Sequence, residues 1–366
     1  MNDSAANGQS ARSLGRRRAD ALPGSGLLLE ARSALGELAS DAAGVLPVAV
    51  VGAGAQATAH LIPALLQVPR VSLVAVCDTD GARVAAVAAR FSIPAAFEQV
   101  SELLETVRVA ALVVACPPQA HEEIAACALA RRVPVFVEKP PAVELARLQA
   151  LAAAAERAGV PTGVGMNFRY ANPYLRVKEL LADPECGQPV AVTIRHLASK
   201  PRAGLWGLPL LRSFLLAQAI HPVDLAVDLG GPVIDLRAVR RVGDHDVLVG
   251  AHLEFAGGAV GSLLCGTHAP RFDTRVEVVT DSGVMVSLAG LSELTVAGLP
   301  AAKAAGGSRG WSQQWRPSPL DTGYERTGFV GELAAFVDAV AADRPFHPGL
   351  ADLLPTYALL DELEQG

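Results

Sequence analysis

From Leu46 onward the chain alternates short apolar runs with alanine-rich amphipathic segments. The runs at 47–52, 71–78, 110–116 and 133–139 carry Val, Ala and Leu with few polar interruptions, as strands covered on both faces do. Between them, apolar residues recur at helical spacing near 55–67, 81–92, 98–106, 118–131 and 142–158. Strand and helix alternating in this way predict an α/β fold built on a doubly wound parallel sheet. After PTGVGMNF (161–168) the texture changes. VAVTIRHL, VIDLRAVRRV, HDVLVGAHLEF, AVGSLLCGT, RVEVVT and VMVSLA are extended runs, and 256–258 and 281–283 read as hairpin turns. They predict a C-terminal α/β domain with an open, mainly antiparallel sheet and one or two helices on its face. The segment from Leu299 to Arg326, rich in Gly, Ser and Pro, reads as a long loop, and helices near 328–342 and 350–364 close the chain. Before Leu46 the pattern is weaker: 1–24 has a disordered composition, and 25–42 spaces its leucines for a short helix. The expected organisation is an N-terminal extension (1–45), a doubly wound domain (46–165), a second α/β domain (166–326) and C-terminal helices packing back on both (327–366).

Composition narrows the partners. The 366 residues are 51% hydrophobic, 19% charged and 5% aromatic, with a net charge of −6. That balance argues against a nucleic-acid surface and against a polybasic membrane patch, and leaves small molecules as the expected ligands. Cys77, Cys116, Cys127, Cys186 and Cys265 stand singly, without metal-site spacing, and read as reduced thiols in a cytoplasmic protein. Arg16-Arg17-Arg18 resembles an export signal, but Asp20, Glu30 and Arg32 interrupt the apolar stretch that would have to follow. No run approaches the roughly eighteen uncharged apolar residues of a membrane span, so no membrane association is expected.

The first candidate chemistry lies in VVGAGAQATAHL. Gly52, Gly54 and Ala57 form G-x-G-x-x-A directly after a strand and opening a helix. The first glycine permits the tight turn, the second lets backbone N–H groups of the Ala55-Gln56 turn approach a pyrophosphate, and the small third residue lets helix and strand pack closely. Asp78 ends the second strand, where a carboxylate would take the ribose hydroxyls. This favours NAD, while Thr79 and Arg83 leave room for NADP. Cys116, Pro117, Pro118 and His121 follow the next strand, and Glu138-Lys139-Pro140 the one after. The carboxyl ends of such strands line a ligand crevice. A desolvated Lys139 there would have a lowered pKa and serve as acid or base; the alternative is a salt-bridged surface cation.

GAGAQA, the CD at 77–78, CPPQAH, VEKP, NFRY (167–170), the HPVD helix and GELAAFVDAVAADRP occur in an order that resembles the Gfo/Idh/MocA family of NAD(P)-dependent oxidoreductases, over roughly residues 46–364. The resemblance implies a Rossmann domain, a second domain whose open sheet often mediates oligomers (a dimer or tetramer), and a sugar, cyclitol or sugar derivative bound between the two. It places the family's lysine on Lys139 and its histidine on His221, a pair that would exchange a proton with the substrate while nicotinamide exchanges hydride. It carries Gly52, Gly54, Ala57 and Asp78 over as cofactor contacts.

One departure stands out. Many relatives have an Asp, or in some subgroups a Glu, four residues before the histidine, on the same helical stripe; here Ala217 and Gln218 occupy that turn. Asp224 and Asp228 lie on the stripe in the other direction, so either Asp224 orients His221 or these acids are helix surface. Arg169, Tyr170 and Asn172 are candidates to enter the cleft with Gln218, the alternative for the arginine being a salt bridge between domains. Trp206, Trp311 and Trp315 would stack on a sugar or line a subunit interface, and Lys200, Arg202 and Arg212 would hold an anionic group. Two other readings remain at this stage: the same fold and cofactor acting on an imine or other non-sugar substrate, or a dinucleotide-binding sensor without turnover.

Overall fold

The computed structural model describes residues 44–299 and 312–366, so the expected helix at 25–42, the extension before it and Trp311 lie outside the described residues. Six parallel strands form the first sheet in the order β3-β2-β1-β4-β5-β6. They are β1 (Leu46–Val51), β2 (Val71–Cys77), β3 (Ala95–Phe97), β4 (Ala111–Val114), β5 (Val135–Glu138) and β6 (Thr162–Gly165). Alternate residues of one strand enter different cores: Val48 and Val50 face one layer, Ala49 and Val51 the other. Both faces being covered explains why these strands read as continuous apolar runs.

The connecting helices are a π-turn at Ala57–Leu61 running into α1 (Ile62–Leu65), then α2 (Gly81–Phe91), α3 (Val100–Thr106), α4 (Pro118–Ala130) and α5 (Leu145–Ala158). β3 was not expected: its three residues pair only with the end of β2, too few to show a periodicity.

The second sheet has eight strands in the order β14-β13-β12-β11-β7-β10-β9-β8. Its members are β7 (Pro189–Leu197), β8 (Val233–Val242), β9 (Val247–Phe255), β10 (Val260–Gly266), β11 (Asp273–Thr280), β12 (Met285–Ala289), β13 (Glu293–Ala297) and β14 (Ser312–Trp315). Only β7 and β10 pair in parallel; the other pairs are antiparallel. The expected loop 299–326 is corrected over its described part. Ser312–Trp315 is an edge strand on β13, and Thr322 and Glu325 form a reciprocal capping box that starts α9 (Gly323–Arg326). Trp315 therefore sits in a strand, not on a loop.

Beyond the sheets, α6 (Asn172–Leu181) follows β6. A longer helical stretch comprises α7 (Leu210–Phe214), a π-turn at Leu215–Ala219 and α8 (Ile220–Gly230). This stretch, Leu210–Gly230, is long and apolar enough in composition to cross a membrane, yet 78% of its most apolar window is buried inside the protein, where it is the central helix of the second sheet's core. α10 (Phe329–Ala341) covers the first sheet through Leu333 and Phe336, and Phe136 of β5 meets Phe336 at 5.5 Å between ring centroids. α11 (Leu354–Gln365) returns to α5 and α8, placing Tyr357 where its hydroxyl donates to Ala142 O at 2.7 Å.

Candidate active site

The glycine turn after β1 has the geometry its sequence requires. Gly52 has φ +98°, and a β-carbon there would lie 2.2 Å from the carbonyl oxygen of Ala115, so only glycine fits beside β4. At Gly54 a β-carbon would meet nothing within 4 Å. The turn is thus open on the side from which a pyrophosphate would approach, and Ala57 is wholly buried beneath it. Asp78 reaches across from β2. One of its oxygens accepts from Ala53 N at 2.7 Å and the other from Asp80 N at 3.0 Å. Arg83 pairs with both Asp78 and Asp80, so its charge is already met by two carboxylates. These residues fit an adenosine ribose and pyrophosphate, and they offer no spare cation for a 2′-phosphate.

His121 occupies a different place from the one expected. Its Nε2 accepts from Cys116 N at 2.9 Å, so Nδ1 carries the proton and donates to Pro140 O at 3.0 Å. Both ring nitrogens are consumed, the ring is buried, and burial pushes its pKa down to about 4. His121 is a neutral clamp between the turn after β4 and the turn after β5, not a polar contact to cofactor. Of the neighbouring turn residues, Pro117 is exposed, Cys116 partly so, and Pro118 is buried as the first residue of α4.

Glu138 and Lys139 point apart. Glu138 lies on the Phe136 side of β5, where Oε1 accepts from Gln56 Nε2 at 2.9 Å and Oε2 from Lys139 N at 3.1 Å. Burial raises its pKa. Lys139 extends toward the second sheet, and its Nζ donates to the carbonyl of Ala217 at 2.9 Å. That carbonyl is available for a structural reason. In the π-turn the amide of Ile220 reaches back to Leu215 O, and α8 then begins with Ala219 as N-cap, whose carbonyl takes the amide four residues on. The residue five beyond Ala217, the partner a π-turn would give its carbonyl, is Pro222, which has no amide hydrogen. The side chain expected at 217 in many relatives is missing, but its main chain still meets the lysine. Burial is the main cause lowering the Lys139 pKa; Glu138 opposes the shift and Lys200 adds to it.

His221 is 6% exposed and stacks on Phe168, with centroids 4.1 Å apart and planes at 16°. Its Nδ1 has no hydrogen-bond partner, and burial, then Lys139 and His196, hold its pKa well below the ordinary range, so the ring is neutral. Asp224 does not orient it. Asp224 and Asp228 are taken instead by Arg169, which reaches Asp224 at 2.6 and 2.7 Å and Asp228 at 2.9 Å, with Tyr174 adding a hydroxyl to Asp228 at 2.6 Å.

Arg169 is therefore the bridge between the exit of β6 and α8, and the expectation that it binds substrate is corrected: its donors are spent on carboxylates. Tyr170 is corrected likewise, since its hydroxyl donates to His347 O and its ring stacks on Phe346. Asn172 donates to Asp321 at 3.1 Å. Arg212 is buried against Val143 O, Asp361 and Glu364, and holds α11 rather than an anionic ligand. Arg202 donates to the carbonyls of Ser199 and His245. Trp206 offers its carbonyl to Gln119 at 2.9 Å, joining the segment before α7 to α4.

Sequence reasoning missed His196, Phe168 and Phe272. His196, fully buried on β7, accepts from or donates to Thr274 Oγ1 at 2.8 Å and meets Gln218 Oε1 at 3.2 Å. Phe272, 47% exposed on the loop between β10 and β11, stands edge-on to His196 and Phe168 at 5.0 and 5.8 Å. The available signal for His196 was its inward position in the alternation of VAVTIRHL.

Comparison with known proteins places this geometry. Two family descriptions match in succession: the oxidoreductase family with NAD-binding Rossmann fold over residues 46–166, and the GFO/IDH/MocA C-terminal domain over 174–286. A solved dehydrogenase from Chromobacterium violaceum is 39% identical with a TM-score of 0.83, over 88% of this chain and 95% of its own. Myo-inositol 2-dehydrogenase of Thermotoga maritima is 27% identical over 250 residues, 64% of this chain and 73% of that protein. Inositol 2-dehydrogenase of Salmonella typhimurium is 31% identical over 153 residues, 41% of this chain, and the match spans 46% of that relative's length. With both halves of the chain matched in order, and the glycine turn, the lysine after β5 and the histidine of α8 in one structure, the chain belongs to the Gfo/Idh/MocA family of NAD-binding oxidoreductases.

Proposed function

We propose that the protein oxidises a secondary alcohol of a sugar- or cyclitol-like compound, or reduces the corresponding ketone, with Lys139 and His221 as the proton-transfer pair. The observation that carries this reading is the 2.9 Å bond from Lys139 Nζ to Ala217 O, which brings the lysine of the first sheet onto the turn directly before the helix that bears His221. The cofactor is NAD, held by Gly52, Gly54, Ala55, Gln56, Ala57 and Asp78; when bound, it supplies the hydride acceptor or donor. Lys139, depressed below ordinary lysine, takes the hydroxyl proton of the substrate. His221, neutral and fixed in plane by Phe168, holds the same oxygen. Gln218 contributes to substrate binding from the turn between them. The inositol relatives support a polyol as the substrate class.

The protein further assembles through the outer face of the eight-stranded sheet. Strand register aligns Val260, Ala191, Val279 and Met285 in one apolar row, with Val260 and Met285 59% and 57% exposed.

Nicotinamide absorbance in a panel of polyols tests the function. A polyol-dependent signal that vanishes in Lys139→Met is expected, and full turnover in that variant would overturn the assignment.

A further inference from the structure

The missing carboxylate at position 217 leaves open what the site offers its substrate there. Resting on the reading of the cleft as an alcohol-oxidising site, we infer that Gln218 is a specificity-determining residue, set by a buried Thr274–His196 anchor to present hydrogen-bond donors, and that the substrate is a sugar acid whose carboxylate lies beside the reacting carbinol.

The anchor fixes the amide. With Gln218 Oε1 3.2 Å from His196 Nε2, that nitrogen carries the ring proton and donates; Nδ1 then accepts from the Thr274 hydroxyl at 2.8 Å. His196 and Thr274 are 0% and 1% exposed, so neither can turn to solvent for an alternative partner. Gln218 thus has its acceptor occupied. Among the described residues its amide nitrogen has no hydrogen-bond partner, and it is not one of the buried unpartnered atoms, so it keeps some exposure to the open side of the turn. Gln218 stands three residues before His221, on the same helical side, and next to the carbonyl that receives Lys139.

Among the described residues, the acids around this turn are already paired. Asp224 and Asp228 are held by Arg169, with Lys178 also on Asp228; Asp273, which acts on His196, is paired with Arg195 and Arg275; and Glu138 lies on the other side of β5 with Gln56. The polar groups this reading gives to the substrate are Lys139, His221 and the Gln218 amide, and the exposed Lys200 is near enough to act electrostatically on Lys139. A carboxylate at 217 would select a hydroxyl that donates. A donor in the same turn selects an oxygen that accepts, and the exposed cation of Lys200 nearby favours that oxygen being anionic.

Calorimetric titration of the NADH-loaded protein tests this, since the reduced complex cannot oxidise the added alcohol. D-Glucuronate is expected to bind at least about 10-fold tighter than methyl glucoside, consistent with one charge-assisted hydrogen bond. Gln218→Glu, which keeps the acceptor for His196 and replaces the free donor by a carboxylate, should abolish or reverse that ratio. His196→Phe, which fills the same space without the anchor, should weaken glucuronate alone. Equal binding of the two ligands, no binding of glucuronate, or an unchanged ratio in Gln218→Glu overturns the inference. Lys139→Met separates it from the proton-transfer reading: selectivity in binding persists there while turnover is lost.

Discussion

The imidazole of His221 lies face to face with Phe168, 4.1 Å between centroids, and this stack, not a carboxylate, fixes its plane. Phe168→Leu keeps the apolar volume but not the flat surface. We expect kcat to fall about 10-fold with cofactor affinity unchanged, whereas Phe168→Ala should also destabilise the fold by about 3–5 kcal/mol. Steady-state kinetics beside urea unfolding separates the two effects.

Lys139→Met should lower kcat about 100- to 10,000-fold and leave cofactor binding intact. Because burial depresses the lysine, the wild-type rate of alcohol oxidation should rise with pH and level off below the value of about 10.4 at which free lysine titrates. A profile that keeps rising past that value would contradict the depressed pKa.

His121 and His196, both pushed to about 4, are neutral in the folded protein, whereas the unfolded chain protonates them below about 6.5. Stability from these groups is complete above that pH and is lost as pH falls toward 4. The steepest slope from the two protons is about 2.7 kcal/mol per pH unit. His121→Gln should halve it, as read from urea midpoints across the acid range.

Glu332 on α10 is 0% exposed, and neither carboxylate oxygen has a partner. Burial and then Glu138 hold its pKa well above the usual range. Its folded form keeps the proton, so the stability it allows is present below about 4.3 and declines as pH rises toward the folded value. Glu332→Met should therefore gain about 1–3 kcal/mol at neutral pH and less at pH near 4, measured by thermal unfolding.

On the outer face of the second sheet, Val279→Asp places a charge in the apolar row. If that row joins two copies, light scattering should show a smaller particle for the variant than for the wild type, with the secondary structure retained.

The first sheet was legible because its strands are buried on both faces and its turns carry glycine, Asp78 and the EKP lysine at fixed places. Two of its strands were not placed: β3 is too short to leave a pattern, and β6 (TGVG) has glycine at alternate positions instead of an apolar run. β13 and β14 were harder to see because one follows a tight turn directly and the other is a four-residue polar edge, SQQW. In the site, the family resemblance put Lys139 and His221 forward, and the sequence could not say which charges cancel. Tyr170 and Arg212 read as ligand candidates and Arg169 as either a ligand contact or a salt bridge between domains, and each is taken by a partner more than fifty residues away. For His196 the alternation of its strand could show that it faces inward, but its partners Thr274 and Gln218 are brought to it only by the fold.

The grip of Arg169 on Asp224 and Asp228 has a mechanical consequence. It welds the exit of the first sheet to the helix that carries His221, so the spacing between lysine and histidine is set when the chain folds and not when a ligand arrives. Freedom to adapt is left to the loop bearing Phe272. Different ligands would then be accommodated at that rim while Lys139 and His221 keep their spacing.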